Sequence, residues 1–510
     1  MSNPESAIRN PQSAIRVAVV GGGITGLAAA NRMIELCREQ SRPLELTLFE
    51  ARSRPGGVVA TERRDDYLIE HGADSFITNK PWGIDLCGRI GLEEELIPTD
   101  ETYRRSLVLR KGKPVPVPEG FMLLAPAKVW PVLTSPVFSP LGKLRMGCEY
   151  FIPRRTEDGD ESLAAFVRRR FGREALERLV QPLVGGIYTS DPEKLSLQAT
   201  MPRFLEMERE YRSLIRASKK QAGEGSTAET SGSGARYGLF VTLRNGLSSL
   251  LEALRARVAA AGAIRFETAM RNVKPAASGG WQLEFGDGTA AEFDAVILAV
   301  RAFQAGEIVQ SFDLKLAEEL RQIEYASTAI VLSGHRLAHV SHPLDAFGLV
   351  VPAIENRKVL AVSFASRKFP GRAPDGRVLL RTFVGGAMQP ESMRLSDAEL
   401  VALVRSELAE LLGVGGEPDF MDVVRFNNAM PQYHVGHLDR VAQIESLTGK
   451  HPGLQLAGNA YHGVGIPDCI HSGEQAAERT LNIEYRTRND EGRSQSSVPS
   501  SFIIPCSIFA

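Results

Sequence analysis

The sequence predicts an α/β protein: a parallel sheet assembled from separate stretches of chain, a second sheet that is antiparallel, and a helical insertion between them. Three observations predict it. An apolar run at 17–20 passes through a glycine turn into a helix-like run, and a second apolar run follows at 44–49. Far downstream, Phe293-Asp294-Ala295-Val296-Ile297-Leu298-Ala299-Val300 reads as a buried strand that returns the chain to the first sheet. Between 325 and 390 several short apolar–polar runs alternate, as antiparallel strands do.

The first element is Val17-Ala18-Val19-Val20-Gly21-Gly22-Gly23-Ile24-Thr25-Gly26. Gly21 suits the turn out of the strand, Gly23 lets a pyrophosphate approach the backbone, and Gly26 lets the helix lie close to the sheet. The helix that starts at Ile24 then points its free N–H groups and its positive end at the phosphates. Glu50 ends the second apolar run, where a carboxylate can accept hydrogen bonds from an adenosine ribose. This is a Rossmann-type dinucleotide cradle. A second glycine pair, Gly56-Gly57, follows Glu50 and Ala51 and allows another close approach to the same ligand, with Arg54 available to neutralise phosphate charge.

At 510 residues the chain is long enough for two or three domains, and 43% of it is apolar. Sixty basic side chains balance sixty-one acidic ones, so no global field recruits nucleic acid or an anionic membrane. Five cysteines without CxxC spacing argue against a zinc site or a disulfide framework, which suits a reducing, cytoplasmic compartment. The N-terminus shows no basic-then-apolar leader, and no run reaches the roughly 18 apolar residues of a membrane span. A soluble or peripheral protein is expected.

Along the chain, Tyr67-Leu68-Ile69-Glu70-His71-Gly72-Ala73-Asp74-Ser75-Phe76 reads as a strand ending in a turn, and 103–118 as a hairpin-like piece. The proline-punctuated stretch from Phe121 to Leu144, with Trp130, Phe138, Lys128 and Lys143, suits packed helices, a membrane-facing surface or a channel guard. Helical periodicity follows over 160–185. The polar composition of 219–236 predicts a flexible linker. Ile264–Met270 reads as a strand, Trp281–Thr289 as a hairpin turning on Gly-Asp-Gly, and 396–412 as a helix. Leu456 to Ile470, with Gly458-Asn459 in its turn, repeats the order strand, glycine turn, helix. Tails at 1–14 and 486–510 are expected to lack structure.

The cradle, the acid, the Gly-Gly sequel and the Gly-x-x-Ser-Phe turn resemble the flavoprotein group of amine oxidases, carotenoid desaturases and porphyrinogen oxidases. Gln181-Pro182-Leu183-Val184-Gly185-Gly186-Ile187-Tyr188, with Asp191 and Lys194-Leu195-Ser196-Leu197, then resembles the porphyrinogen oxidases of haem synthesis, as do Arg212–Ile215, Met430–His437 and Leu456–Ile470.

That resemblance implies FAD, held by a discontinuous domain at 15–100, 237–305 and 436–482. It implies a helical, membrane-facing or access segment at 101–218 and an antiparallel-sheet substrate domain at 306–435. The implied activity is the six-electron oxidation of a porphyrinogen to a porphyrin, protoporphyrinogen IX or coproporphyrinogen III, in two-electron cycles. The flavin takes hydride from a bridging carbon, and dioxygen reoxidises it to give hydrogen peroxide. No catalytic side chain is implied; His434, His437 and His462 read as structural partners. The family's substrate pocket falls at Phe383, Val350, Ser363 and Arg105, with Arg104 as an alternative, and the serine departs from the leucine of the family's plant members. On the flavin side the resemblance places Gly72, Ala73, Asp74, Met270, Val464, Gly465 and Ile466. Implied partners are a porphyrinogen, dioxygen and, transiently, the haem-pathway enzyme that takes the product. Membrane contact and the choice of monomer or homodimer stay open. The rival readings are a related flavin amine oxidase or carotenoid desaturase, and a non-catalytic flavin- or tetrapyrrole-binding protein.

Overall fold

The structure is a computed structural model, and it describes residues 14–122, 125–126, 129–157, 159–223 and 239–489. The lead-in before residue 14, most of the linker expected at 219–236, and the tail beyond 489 lie outside the described residues.

A five-stranded parallel sheet forms in the order Ala263–Arg265, Leu44–Phe49, Ile15–Val20, Ala295–Leu298, Leu454–Leu456. Its central strand is buried on both faces, which is why its sequence is continuously apolar rather than alternating. Val17 and Val19 pack against the helices Ile24–Glu39, Ser248–Ala261 and Ile466–Asn489. Ala18 and Val20 face the opposite way, toward the three-stranded sheet at 270–293 and the helices Ala302–Val309 and Leu314–Arg321.

A seven-stranded sheet forms the second layer. Its order is Phe420–Pro431, Tyr325–Arg336, Arg377–Gly385, Ala361–Phe364, Gly348–Val350, Ser106–Arg110, Lys113–Pro116. Two features differ from the sequence-based expectation. The hairpin at 106–116, expected within the helical segment, is the sheet's outer pair, and it joins Gly348–Val350 in parallel. The cause is burial on two sides: Leu107 and Leu109 enter the core beneath the helix Asp397–Leu412, while Val108 enters the core of the helical segment. The sheet is therefore mixed. The helix itself forms as expected, opened by a capping box between Ser396 and Glu399.

Two further expectations are corrected. The strand read over 264–270 is interrupted, because Glu267 and Thr268 turn their N–H groups to the carbonyls of Arg52 and Glu50. The last helix takes in residues 486–489 of the expected tail, no proline or glycine standing between Glu474 and Asn489 to stop it.

The helical segment packs around a buried ion cluster. Arg170 is fully buried between Glu149 and Glu208 and also donates to the carbonyls of Ile152, Pro153 and Arg212. This segment carries the helix Gln181–Tyr188 to the large sheet, where Ala387 N donates to the Thr189 carbonyl just beyond the helix.

Candidate functional site

The glycine turn after the first strand is built as an anion cradle. A Cβ on Gly26 would lie 1.9 Å from the Gly21 carbonyl oxygen, so only glycine lets the helix start this close to the strand. The helix has no side-chain cap, and its first N–H groups face open space: a Cβ on Gly23 would meet nothing within 4 Å. Glu50 closes the far side, accepting from Gly22 N at 2.7 Å and Arg52 N at 2.9 Å. The Gly56 N–H donates to the Gly22 carbonyl at 2.8 Å, which sets the second glycine pair against the first turn. Arg301 adds a half-buried guanidinium held below its ordinary pKa, first by burial and then by the charge of Arg52. Two like charges beside an uncapped helix start fit a bound pyrophosphate. Ala51 and Arg54 are exposed on the same loop, Arg54 folding back on the Pro55 and Val59 carbonyls.

From this cradle a cavity opens between the two sheets. One wall is Gly72, Ala73 and Ser75 with Val464, Gly465 and Ile466 at the start of the last helix. The facing wall is Phe383, Thr328, Ile330, Phe426 and Met430 from the large sheet, closed by Gly186, Ile187, Tyr188 and Thr189 of the helical segment. An elongated dinucleotide fits this layout, with its phosphates at Gly23 and its ring system between the walls. FAD is such a group.

The predicted residues divide accordingly. Gly72, Ala73, Asn459, Val464, Gly465, Ile466 and Phe383 meet at the cavity, and Ile24 joins them at its cradle end. Gly458 precedes it on the same turn, its N–H bound to Ser472 Oγ. Asp74 is buried behind the wall, paired with Lys368 and Arg381. Met270, expected at the flavin end, instead stands at the Glu50 end, since the chain at 263–268 runs along the strand that leads into Glu50. Val350 and Ser363 are fully buried and lie off the cavity; Val350 reaches Phe383 through Ala361, which pairs with both across the ladder. Arg105 does not reach the cavity: it pairs at the surface with Asp345 at 3.3 Å.

None of the three histidines lines the cavity. His437 is buried, stacked on Tyr433, and pushed down to about 4 by burial, so its ring is neutral near pH 7. His462 pairs with Glu445, and His434 faces Glu324.

Sequence reasoning missed Arg301 at the cradle and three further features. Lys80 lines the cavity and pairs with Asp468, whose carboxyl is pushed up by burial against the opposing pull of Lys80. The Tyr433 hydroxyl donates to the Asn459 carbonyl at 2.7 Å and accepts from Gly463 N at 2.8 Å, bracing the turn before the last helix. Lys368 and Arg381 hold Asp74. Asp468 and Tyr433 were visible within the two quoted C-terminal segments, but no spacing rule announces a partner 388 positions away in the chain.

The fold and this site define a dinucleotide-dependent oxidoreductase architecture. Residues 24–481 match the model of the flavin containing amine oxidoreductases, and the chain belongs to that family. It is an FAD-dependent oxidoreductase. The chain is 34% identical over 471 residues to a coproporphyrinogen III oxidase of Bacillus subtilis (strain 168), covering 92% of this chain and 98% of that one. It is 33% identical to the protein of the same name from Staphylococcus aureus, covering 91% and 98%. A chloroplastic protoporphyrinogen oxidase of Nicotiana tabacum is 30% identical, covering 95% and 88%. Among solved structures, one from Exiguobacterium sp. 255-15, provisionally named a protoporphyrinogen oxidase, superposes with a TM-score of 0.81 at 30% identity, covering 93% and 100%. No helix among the described residues is long and apolar enough to cross a membrane.

Proposed function

We propose that this protein oxidises a porphyrinogen to a porphyrin in haem biosynthesis, and that its substrate is coproporphyrinogen III. The cavity carries the reading. A mostly apolar slot runs between the Gly72–Ser75 turn on one side and Phe383, Ile330 and Ile187 on the other, a lining that suits a flat cofactor ring and an apolar macrocycle. The relatives named coproporphyrinogen III oxidase, at 33–34% identity, favour that substrate over protoporphyrinogen IX, which the 30% identical plant relative is named for.

FAD, assigned to the domain at 15–100, 237–305 and 436–482, supplies two-electron oxidation when bound, with dioxygen as the final acceptor and hydrogen peroxide as its product. The chain's own residues bind and orient. Phe383 offers a flat apolar face to a pyrrole ring. Ile187, Ile330 and Phe426 exclude water from the reacting carbon. Lys80, held by Asp468, is the cation among the described lining residues and offers a donor to an acidic substituent.

Side-by-side kinetics of the FAD-loaded protein with both porphyrinogens and with a primary amine test the reading. A higher kcat/KM for coproporphyrinogen III supports it; a higher value for protoporphyrinogen IX overturns the choice of substrate. Turnover of the amine alone overturns the activity.

The helical segment further supports a peripheral membrane contact. Trp130, Leu133, Leu141, Leu144 and Phe151 are exposed, Trp130 at 73% and Leu141 at 78%. Co-sedimentation with anionic vesicles that is lost in a W130S/L141S variant supports this contact; unchanged sedimentation contradicts it.

A further inference from the structure

Behind the turn that forms the cofactor wall lies a cluster of buried charges that the proposed reaction does not use. Asp74 Oδ1 accepts from Lys368 Nζ at 2.9 Å and from Ser75 Oγ at 2.8 Å. Asp74 Oδ2 meets Arg381 Nη1 at 2.7 Å, and Arg381 Nη2 donates to the Gly72 carbonyl. Lys368 also donates to Ser75 Oγ at 2.8 Å. Asp74, Lys368 and Arg381 are each no more than 3% exposed, and Gly72, Ala73 and Ser75 line the cavity directly in front of them.

The charges do not balance. Arg372, 2% exposed, is the next cation in the cluster; it donates to the Leu243 and Arg244 carbonyls and to Thr242 Oγ1. The second carboxyl is Glu70, which accepts from Leu247 N and Thr61 Oγ1, each at 2.8 Å. Burial pushes Glu70 up to about 7, so near neutral pH it is in part uncharged. Three basic side chains therefore face two carboxyl groups, although burial also pulls Lys368 and Arg372 down from their ordinary values. Buried charge that is not compensated is costly and persists where something else balances it. In front of this cluster stands the cavity wall formed by Gly72, Ala73 and Ser75.

We propose that Arg381 and Lys368 are positioning residues that fix the Gly72–Ser75 turn against the flavin and, by their excess positive charge, raise the reduction potential of bound FAD. Reduction adds electrons to the ring, and a nearby fixed positive charge favours the electron-rich form. Arg381 serves both parts, since one guanidinium holds the Gly72 carbonyl and the Asp74 carboxylate together. The inference rests on FAD binding and not on the identity of the substrate.

The test is the midpoint potential of FAD bound to the full-length protein, measured without substrate by dye equilibration in R381M, K368M, D74N and R381K. Removing a cation shifts the potential negative in R381M and K368M. Removing the anion shifts it positive in D74N, and R381K stays near the parent. Opposite signs distinguish charge from mere packing, which disturbs all four in no ordered way. Should R381M not fold, K368M and D74N carry the same pair of signs. Unchanged potentials, or shifts of the same sign in D74N and a cation variant, overturn the proposal. Failure to oxidise porphyrinogens leaves these readings unaffected and counts only against the substrate reading.

Discussion

The N–H of Gly56 donates to the carbonyl of Gly22 at 2.8 Å. This bond makes one site of two glycine turns, and the same Gly22 gives its own N–H to Glu50 at 2.7 Å. Glu50 is thereby both a candidate ligand for the ribose and the acceptor that shapes the phosphate turn. In E50A two backbone donors, Gly22 N and Arg52 N, lose a charged acceptor worth about 1.5–3 kcal/mol each. The expected result is at least a roughly tenfold weaker FAD affinity, about 1.4 kcal/mol, read by titrating the apoprotein with FAD. Unchanged affinity would show that Glu50 merely decorates the turn.

A second expectation concerns Tyr433. Its hydroxyl spans the Asn459 carbonyl and the Gly463 N–H, and the residue is 1% exposed. Y433F keeps the ring stacked on His437 but leaves both backbone groups buried without a partner, which costs about 1–3 kcal/mol. The thermal midpoint of the FAD-loaded protein should fall, and the visible circular dichroism of the flavin should change with it. A lower midpoint with an identical flavin spectrum would confine Tyr433 to stability.

A third expectation is a pH effect from Glu70. Burial raises its folded pKa from 4.5 to about 7. Between those values the folded protein holds a proton that the unfolded chain has released. Stability therefore falls as pH rises through this window, and above it the penalty levels off at about 3 kcal/mol. E70Q stays neutral and escapes the penalty. Its stability relative to the parent, from denaturant midpoints at pH 5 and pH 8, should increase with pH; a difference that is constant across this range contradicts the assignment.

What could be read from the sequence follows from where the signal is local. The cradle was legible because strand, glycine turn, helix and terminal acid are consecutive, and Gly56-Gly57 follows them at once. The parallel sheet was legible through the doubly buried run at 295–298. The edge strand Phe420–Pro431 was not, since nearly all its residues are half-buried or exposed and it shows no alternation. The hairpin at 106–116 looked local, yet its place was fixed by cores on its two sides that assemble from distant segments. In the site, Phe383 was reached through a resemblance and sits on the cavity wall, whereas Arg105, carried over in the same way, is tied to Asp345 at the surface. The Asp74–Arg381 and Lys80–Asp468 pairs join residues hundreds of positions apart, and no periodicity encodes them.

The most direct test of the whole account is aerobic turnover of coproporphyrinogen III by purified, FAD-loaded protein, followed by porphyrin fluorescence and by hydrogen peroxide release. The expected result is fluorescent coproporphyrin III formed above the autoxidation rate, with three peroxide molecules for each porphyrin. Porphyrin appearing no faster than in the protein-free control, from protein that holds its flavin, would contradict it.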